Sequence, residues 1–248
     1  MFLREARIVN RPETIIYPFH LPALSGVDAI QFDSFITFFV GENGSGKSTL
    51  LEALAIACGF NPEGGSIGNS FYTVSTESTL HEHLKLSWMP KATSGFYFRA
   101  ESFFNFATYN DEAQKGPGGS YAPYGGRSLH EQSHGESFLN LFLYRFGKRQ
   151  SAIYLLDEPE AALSPTRQLS FLRILHDHER SKKSQFIIAS HSPILLAYPG
   201  ARILNFDKSP LEPVEYRDTE HYAITKQFIN HPEGMLRELF KDDLEDEH

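Results

Sequence analysis

Hydrophobic and polar positions indicate which elements this chain forms. Continuous apolar runs, typical of strands buried on both faces of a parallel sheet, occupy residues 35–40, 152–156 and 185–189. Apolar residues recur at helical spacing in three further segments, residues 48–57, 138–146 and 165–175. Strands that alternate with helices in this way predict an α/β fold with a mostly parallel sheet at its core.

The flanks of this pattern are less regular. Residues 6–9 and 29–32 alternate enough to predict an antiparallel, hairpin-like pair beside the strand at 35–40. Glycines interrupt residues 60–132, where we predict a single strand at 95–100. A short strand at 202–206 and two helices complete the prediction.

These segments suggest one domain that spans residues 1–248. We expect a loop-rich and helical subdomain inserted at about residues 60–147. A helical, acidic tail is expected from about residue 215 to residue 248.

Composition narrows the choice of partners and compartment. The 248 residues carry a net charge of −8, so a strongly basic nucleic-acid surface gets no support, although a local patch remains open. The single cysteine, Cys58, predicts a reducing, cytoplasmic location. Charges at the N-terminus argue against a signal peptide, and no apolar run approaches the ~20 residues of a membrane span, so direct membrane insertion is not expected.

Residues 41–49 fit the phosphate-loop pattern of Gly, four residues, Gly, Lys and Ser/Thr, between a strand and a helix. Glycines let successive N–H groups converge on phosphate oxygens, and the helix adds its positive end. Lys47 is expected to reach the β- and γ-phosphates, and the Ser48 hydroxyl to ligate Mg²⁺. The predicted nucleotide-binding residues are Asn43, Gly44, Ser45, Gly46, Lys47, Ser48 and Thr49.

Two acids end the second apolar strand. We assign Asp157 to the metal ion and Glu158 to the attacking water, as general base. His191 follows the third apolar strand, where a parallel sheet opens toward its ligand, so it can touch the γ-phosphate or the water. Lys47, Glu158 and His191 are therefore the predicted catalytic residues.

A second anion-binding loop precedes the helix at 138–146. Ser133, His134, Gly135 and Glu136 offer a hydroxyl, free N–H groups and a helix N-terminus to a second nucleotide or to that of a partner subunit. Alternatively, Ser133 and Glu136 form a capping box, and both interpretations can hold together. The stretch from His130 to His134 also spells a zinc-protease pattern, but flanking glycines oppose the continuous helix which that pattern needs.

Four motifs in this order resemble the ABC-type ATPase domain. They are the phosphate loop, the loop at 133–136 before a helix, the segment 155–159 and His191 after the next strand. Residues 159–164 are similar to the D-loop, and the resemblance covers residues 1–210. It implies a P-loop NTPase fold of ABC type that uses ATP and Mg²⁺. It also implies a head-to-tail homodimer in which Ser133 and Gly135 contact the γ-phosphate held by the opposite subunit.

Within that class the chain looks most like small stand-alone AAA-type ATPases of bacteria, relatives of SMC and recombination-repair heads and of phage-defence ATPases. Transporter cassettes usually show Leu-Ser-Gly-Gly-Gln where this chain has residues 132–136. Glu101 stands near the position of the family's Q-loop glutamine and is a further metal-ligand candidate. Ser164 replaces the D-loop aspartate, which puts the usual communication across the dimer in doubt.

We interpret the chain as an ATPase that dimerises around ATP and opens after hydrolysis. It would act as a switch or motor subunit, of DNA-repair or phage-defence type. We also expect a protein partner, which the sequence does not identify. Two alternatives stay open: an ATP-binding subunit of a membrane transporter, and an ATP-sensing regulatory module with little turnover.

Overall fold

The computed structural model describes residues 1–13, 16–67, 78–115, 120–146 and 151–241. The strands in these ranges are β1 (Leu3–Ile8), β2 (Ala29–Gln31), β3 (Ile36–Val40), β4 (Gly65–Ser66), β5 (Leu84–Trp88), β6 (Ser94–Arg99), β7 (Ala152–Asp157), β8 (Ser184–Ala189), β9 (Arg202–Asn205) and β10 (Glu212–Pro213). The α-helices are α1 (Lys47–Cys58), α2 (Phe103–Gln114), α3 (His134–Asn140), α4 (Pro165–Ser181), α5 (Pro193–Leu196), α6 (Glu220–Asn230) and α7 (Pro232–Leu239).

The main sheet has seven strands in the order β10-β9-β3-β8-β7-β6-β4. The five strands from β9 to β6 run parallel, and the short strands β10 and β4 pair antiparallel at the two edges. The three continuous apolar runs of the sequence are β3, β8 and β7, which lie side by side in the middle. The predicted mostly parallel α/β core is therefore confirmed, and the carboxyl ends of these strands meet at one edge of the sheet.

Apolar side chains cover both faces of the main sheet. Along β3, Phe38 packs into one cluster with side chains of α3 and α4, and its neighbour Phe39 packs into the other with side chains of α1. This alternation explains why the central strands read as unbroken apolar runs, since neither face meets water.

The N-terminal strands form a second, antiparallel sheet in the order β2-β1-β5. Ala6 lies opposite Ile30, so the predicted antiparallel pair is confirmed. The pair belongs to a sheet separate from β3, however, and β5 completes it. Gln185 of β8 connects the two sheets, because its amide oxygen accepts hydrogen bonds from the backbone N–H groups of Phe2 (2.9 Å) and Leu3 (2.8 Å).

The stretch at 60–132 is more ordered than its glycine content predicts. The expected strand at 95–100 is confirmed as β6, and β5 and α2 are additional elements. β5 pairs with β1, whereas β6 lies in the main sheet. Long-range pairing partners thus stabilise segments whose flanks read as loop, and the proposed subdomain limits of about 60–147 stay a prediction.

The C-terminal part contains the two expected helices, α6 and α7, in which no residue is buried. Of the predicted acidic tail, residues 242–248 lie outside the described residues. The helix expected at 138–146 is α3 followed by a π-helical turn, Leu141–Arg145. Across the described ranges, no helix combines the length and apolar character needed to cross a bilayer.

Candidate functional site

The loop between β3 and α1 curls around the N-terminus of α1. Gly46, at the N-cap position, has φ 104°, in the region that favours glycine, and a Cβ there would lie 2.8 Å from Leu21 Cδ1. No side chain caps α1. Its first-turn N–H groups, which lack intrahelical partners, are therefore positioned to bind an anion.

Lys47 lies buried beneath this loop. Its Nζ donates hydrogen bonds to the carbonyl oxygens of Gly41 (2.7 Å) and Glu42 (2.8 Å). Burial lowers the pKa of the ammonium, while the nearby carboxylates of Glu158 and Asp207 oppose that shift. The positive charge is thus held among loop atoms at the point where phosphate oxygens would compensate it.

Ser48 and Asp157 meet across the floor of the site. The Ser48 hydroxyl donates a 3.0 Å hydrogen bond to Asp157 Oδ1 at the end of β7. Asp157 is 8% exposed, and burial raises its pKa to about 6, against the opposing effects of the Ser48 hydrogen bond and the Arg99 charge. Two oxygen ligands, one of them a buried carboxylate without a full counter-charge, suit a hard divalent cation such as Mg²⁺.

Glu158, the residue after β7, has an unusual backbone conformation. Its φ and ψ are 50° and 54°, a left-handed conformation that is uncommon outside glycine and costs roughly 1–2 kcal/mol. The Glu158 N–H donates to Ala189 O on β8, and its carboxylate, 46% exposed, lies 3.7 Å from His191 Nε2. The two consecutive acids thus make different contacts: Asp157 Oδ1 accepts from Ser48, and Glu158 Oε1 lies near His191.

His191 is fixed from two sides. Its backbone N–H donates to Glu160 Oε1 at 2.5 Å, and its Nδ1 lies 2.8 Å from His221 Nε2 on α6. Burial lowers the pKa of the imidazole, and the charge of Lys47 lowers it further. His191 Nε2 is buried and, among the described residues, has no hydrogen-bond partner, so a ligand that entered the site next to Glu158 would satisfy it.

Gln168 of α4 joins the segments that follow β7 and β8. Its amide Nε2 donates to Leu163 O (3.1 Å), and its Oε1 accepts from the Ser192 hydroxyl (2.5 Å). Ser192 is the residue after His191. The segment at 159–164 and the histidine loop are therefore mechanically connected through one buried amide.

The loop at 133–136 forms the predicted capping box of α3, in which Ser133 and Glu136 each accept a hydrogen bond from the other's backbone N–H. These hydrogen bonds from Ser133 lower the pKa of Glu136. Arg167 of α4 donates to Ser133 Oγ (2.8 Å) and lies 3.7 Å from Glu136 Oε1. Gly135 is tightly enclosed, since a Cβ there would lie 2.5 Å from Arg167 Nη1 and 2.8 Å from Ala162 O.

The other predicted ligand positions line the rim. Asn43 and Gly44 are exposed, Ser45 is half-buried, and the Thr49 hydroxyl lies 2.8 Å from that of Tyr17. Glu101 is 86% exposed and pairs with Arg99 at 3.4 Å. Its charge contributes to the raised pKa of Asp157. Its assignment as a metal ligand stays a prediction.

The zinc-protease pattern does not form the helix that it requires. Leu129–Glu131 is a 3₁₀ turn, and Gln132 is extended before α3 begins at His134. The ring of His130 instead bonds Thr108 Oγ1 at 3.1 Å.

Several residues that shape this site were not singled out by the sequence. Glu160 lies in the D-loop-like segment, which was a usable signal, whereas Arg167 and His221 are ordinary helix positions. Asp207 follows β9 and accepts a 2.7 Å hydrogen bond from the backbone N–H of Glu42. Like Asp157, Ala189 and Val40, it lies where a parallel strand ends at the carboxyl edge of the sheet. That position is the one sequence signal that could have indicated a role for Asp207 in the site.

Two protein-family models match parts of this chain. A family model described as an AAA domain matches residues 21–122, and a second, described as "AAA domain, putative AbiEii toxin, Type IV TA system", matches residues 124–197. No curated protein resembles the chain closely enough to count as a relative.

Solved structures resemble the chain at low sequence identity. An SMC head bound to the C-winged helix domain of ScpA is 11% identical, with a TM-score of 0.50 over 87% of this chain and 98% of that one. The Clostridium perfringens protein cbiO1, part of the ABC transporter complex cbiONQ, is 15% identical, with a TM-score of 0.48 over 96% and 99% of the two chains. The Thermotoga maritima SMC head is 16% identical, with a TM-score of 0.41 over 87% and 100%.

The fold and the site define a phosphate-loop nucleotide-binding domain. Both matching family models are AAA domains, which confirms the resemblance to AAA and ABC-type ATPase domains stated from the motifs, and the solved structures confirm the expected fold.

Proposed function

We propose that this protein binds ATP with Mg²⁺ and hydrolyses it, and that two copies close around two ATP molecules before hydrolysis lets them open. The observation that carries the proposal is the convergence of five side chains at one edge of the sheet. Lys47 and Ser48 at the start of α1, the two acids at the end of β7 and His191 after β8 lie together, and the Ser48 hydroxyl is already hydrogen-bonded to Asp157.

Each group has a role in phosphoryl transfer to water, which depends on positioning and on neutralising charge. Lys47 and the N-terminus of α1 would hold the phosphates, and Ser48 and Asp157 would hold Mg²⁺, which neutralises charge on the β- and γ-phosphate oxygens. Glu158 would orient and deprotonate the attacking water. His191 would donate from Nε2 to the γ-phosphate.

The proposed dimer rests on the loop at 133–136. In the described part of the chain its hydrogen bonds run within the loop, to Ser137 of α3 and to Arg167 of α4, so the loop is an organised helix N-terminus. As the family resemblance implies, Ser133 and Gly135 would contact the γ-phosphate held by a second copy and so complete that copy's site. The dimer would therefore depend on ATP.

One observation supports a particular biological role for the proposed ATPase. The description of the second family model, "AAA domain, putative AbiEii toxin, Type IV TA system", supports a role in a toxin–antitoxin system or in phage defence rather than in DNA repair. Growth arrest on induced expression, relieved by a neighbouring gene, would support that role. Purification with a permease would instead support the transporter alternative.

The central test compares wild type with Glu158→Gln. Wild type should release phosphate in an Mg²⁺-dependent manner, and Glu158→Gln should lower kcat by about 10²-fold or more while ATP binding persists. The variant should accumulate as a dimer with ATP, measured by sedimentation velocity. Glu212→Gln, an exposed change on β10, serves as control. Wild-type turnover by Glu158→Gln would refute the assignment of the base, and a wild-type protein that binds ATP without turnover would favour the sensing module.

A further inference from the structure

His221 is a histidine outside every recognised motif, yet it contacts the site. It lies in the first turn of α6, 30 residues after His191, and its Nε2 is 2.8 Å from His191 Nδ1 with the ring centroids 5.0 Å apart. A hydrogen bond between two imidazoles requires one ring to donate and the other to accept. The pair therefore specifies a tautomer as well as an orientation.

The surroundings of His191 decide which ring donates. Burial and the charge of Lys47 lower the pKa of His191, which favours the neutral ring. Its Nε2 faces Glu158 Oε1 at 3.7 Å, and a carboxylate stabilises a proton there rather than a lone pair. A neutral ring protonated at Nε2 leaves Nδ1 as the acceptor, so His221 Nε2–H is the donor.

The arrangement is anchored at the start of α6. Thr219, 1% exposed, caps the helix by accepting from the Tyr222 N–H, and its hydroxyl donates to Tyr216 O at 2.7 Å. Residues within α6 are not buried. The half-buried residues of α6 are His221, Tyr222 and Thr225, which lie in its N-terminal half, and α5, which directly follows the histidine loop, packs against the helix.

We propose that His221 is a positioning residue for ATP hydrolysis, which donates to His191 Nδ1 and thereby holds the tautomer whose Nε2–H points at the γ-phosphate. This inference rests on the proposed function, since it assigns His221 a role in that reaction. It also connects the C-terminal helix pair to the catalytic edge, because any displacement of α6 moves the donor that orients His191.

Turnover provides the first test. His221→Ala should lower kcat about 10-fold or more and leave the KM for ATP within about twofold, since the phosphate loop is untouched. His221→Gln, whose amide can still donate, should recover part of kcat. The double variant His191→Ala/His221→Ala should be no slower than His191→Ala alone. His231→Ala, at an exposed position before α7, is the matched control.

Wild-type kcat in His221→Ala, or a further full loss of kcat in the double variant, would overturn the proposal. A second readout does not need turnover. In protein labelled with ¹⁵N-histidine, long-range proton–nitrogen correlation spectra should show His191 protonated at Nε2 in wild type, with a mixture of tautomers in His221→Ala.

The two readouts separate the two claims. If wild type does not hydrolyse ATP but His191 shows the Nε2–H tautomer and loses it in His221→Ala, the proposed function fails and the positioning contact stands. If wild type hydrolyses ATP but His191 is protonated at Nδ1, or its tautomer does not change in His221→Ala, the positioning inference fails alone.

Discussion

The carboxylate of Glu160 accepts a 2.5 Å hydrogen bond from the backbone N–H of His191. The bond joins the segment after β7 to the segment after β8, two neighbouring strands of the main sheet. His191 is thus held at its backbone by Glu160 and at its ring by His221. Contacts from two other segments therefore help to set the position of His191.

Glu160→Ala should slow ATP hydrolysis and destabilise the fold. The change leaves the His191 N–H without its acceptor, which costs about 1–3 kcal/mol of unfolding free energy and frees the histidine loop. Glu160→Gln retains a carbonyl acceptor and should preserve most of kcat. Urea unfolding and steady-state phosphate release measure the two effects, and equal kcat in Glu160→Ala and wild type would contradict the link between this contact and catalysis.

The pH dependence of stability should also differ at this position. Burial raises the pKa of Glu160 above its ordinary value of 4.5, so the folded chain holds the proton more tightly than the unfolded chain. Ionisation of Glu160 therefore lowers the unfolding free energy. This cost is absent below the pKa of the unfolded chain, grows as the pH rises toward the pKa of the folded chain, and is complete above it. The unfolding free energy of Glu160→Gln relative to wild type should increase from about pH 4 to about pH 7. A constant difference across that range would refute the prediction.

Lys47→Ala should abolish the stabilisation of the protein by ATP. Wild type at an ATP concentration of about 100 Kd should gain about 2.7 kcal/mol, visible as a higher Tm. Because Lys47 Nζ also bonds Gly41 O and Glu42 O, the Tm of each variant without nucleotide serves as its baseline. The exposed change Lys85→Ala on β5 is the control, and an unchanged ATP-dependent shift in Lys47→Ala would contradict the assignment of Lys47 to the phosphates.

The strands and helices that form the site could be predicted because their signals are local. β3, β7 and β8 are continuous apolar runs, and the phosphate loop, Asp157 and His191 follow strand ends that meet at one edge of a parallel sheet. Residue type, spacing and strand order were therefore sufficient to predict these strands and the site residues that follow them.

Other parts depend on contacts between distant segments. β5 pairs with β1 across more than 70 residues, although its half-buried, alternating residues 84–88 were a readable signal. In α2, Phe103, Phe106 and Asn110 are buried at helical spacing, but glycine-rich flanks obscured that pattern. The pairing of His221 with His191 has no local signal, because nothing in residues 219–223 indicates which side chain α6 meets.

Gln185→Leu should strongly destabilise the protein. The fully buried Gln185 side-chain amide accepts hydrogen bonds from the N–H groups of Phe2 and Leu3 and donates one to Leu3 O at 2.9 Å. It thus supplies hydrogen bonds between two sheets that share no strand pairing. Leucine fills similar space but leaves three backbone groups without partners, a loss of roughly 2–5 kcal/mol in unfolding free energy. Gln31→Leu, an exposed change on β2, should cost under about 0.5 kcal/mol. Equal denaturation midpoints for the two variants would contradict this account.

Gly135→Ala should weaken the ATP-dependent dimer more than it weakens ATP binding. A Cβ at this position would lie 2.8 Å from Ala162 O and 2.5 Å from Arg167 Nη1, so α3 must shift away from the segment after β7 and carry Ser133 with it. The phosphate loop of the same subunit lies on other elements and should bind ATP as before. We therefore expect an unchanged ATP-induced rise in Tm together with a loss of dimer in the Glu158→Gln background, where dimer accumulates.

Gly234→Ala is the matched control, since a Cβ on that residue of α7 meets no atom within 4 Å. Overpacking of the kind expected at Gly135 costs about 1–3 kcal/mol. Dimerisation is therefore compared at a temperature where both variants remain folded. An undiminished dimer in Gly135→Ala would argue that the loop at 133–136 does not meet the neighbouring subunit's nucleotide.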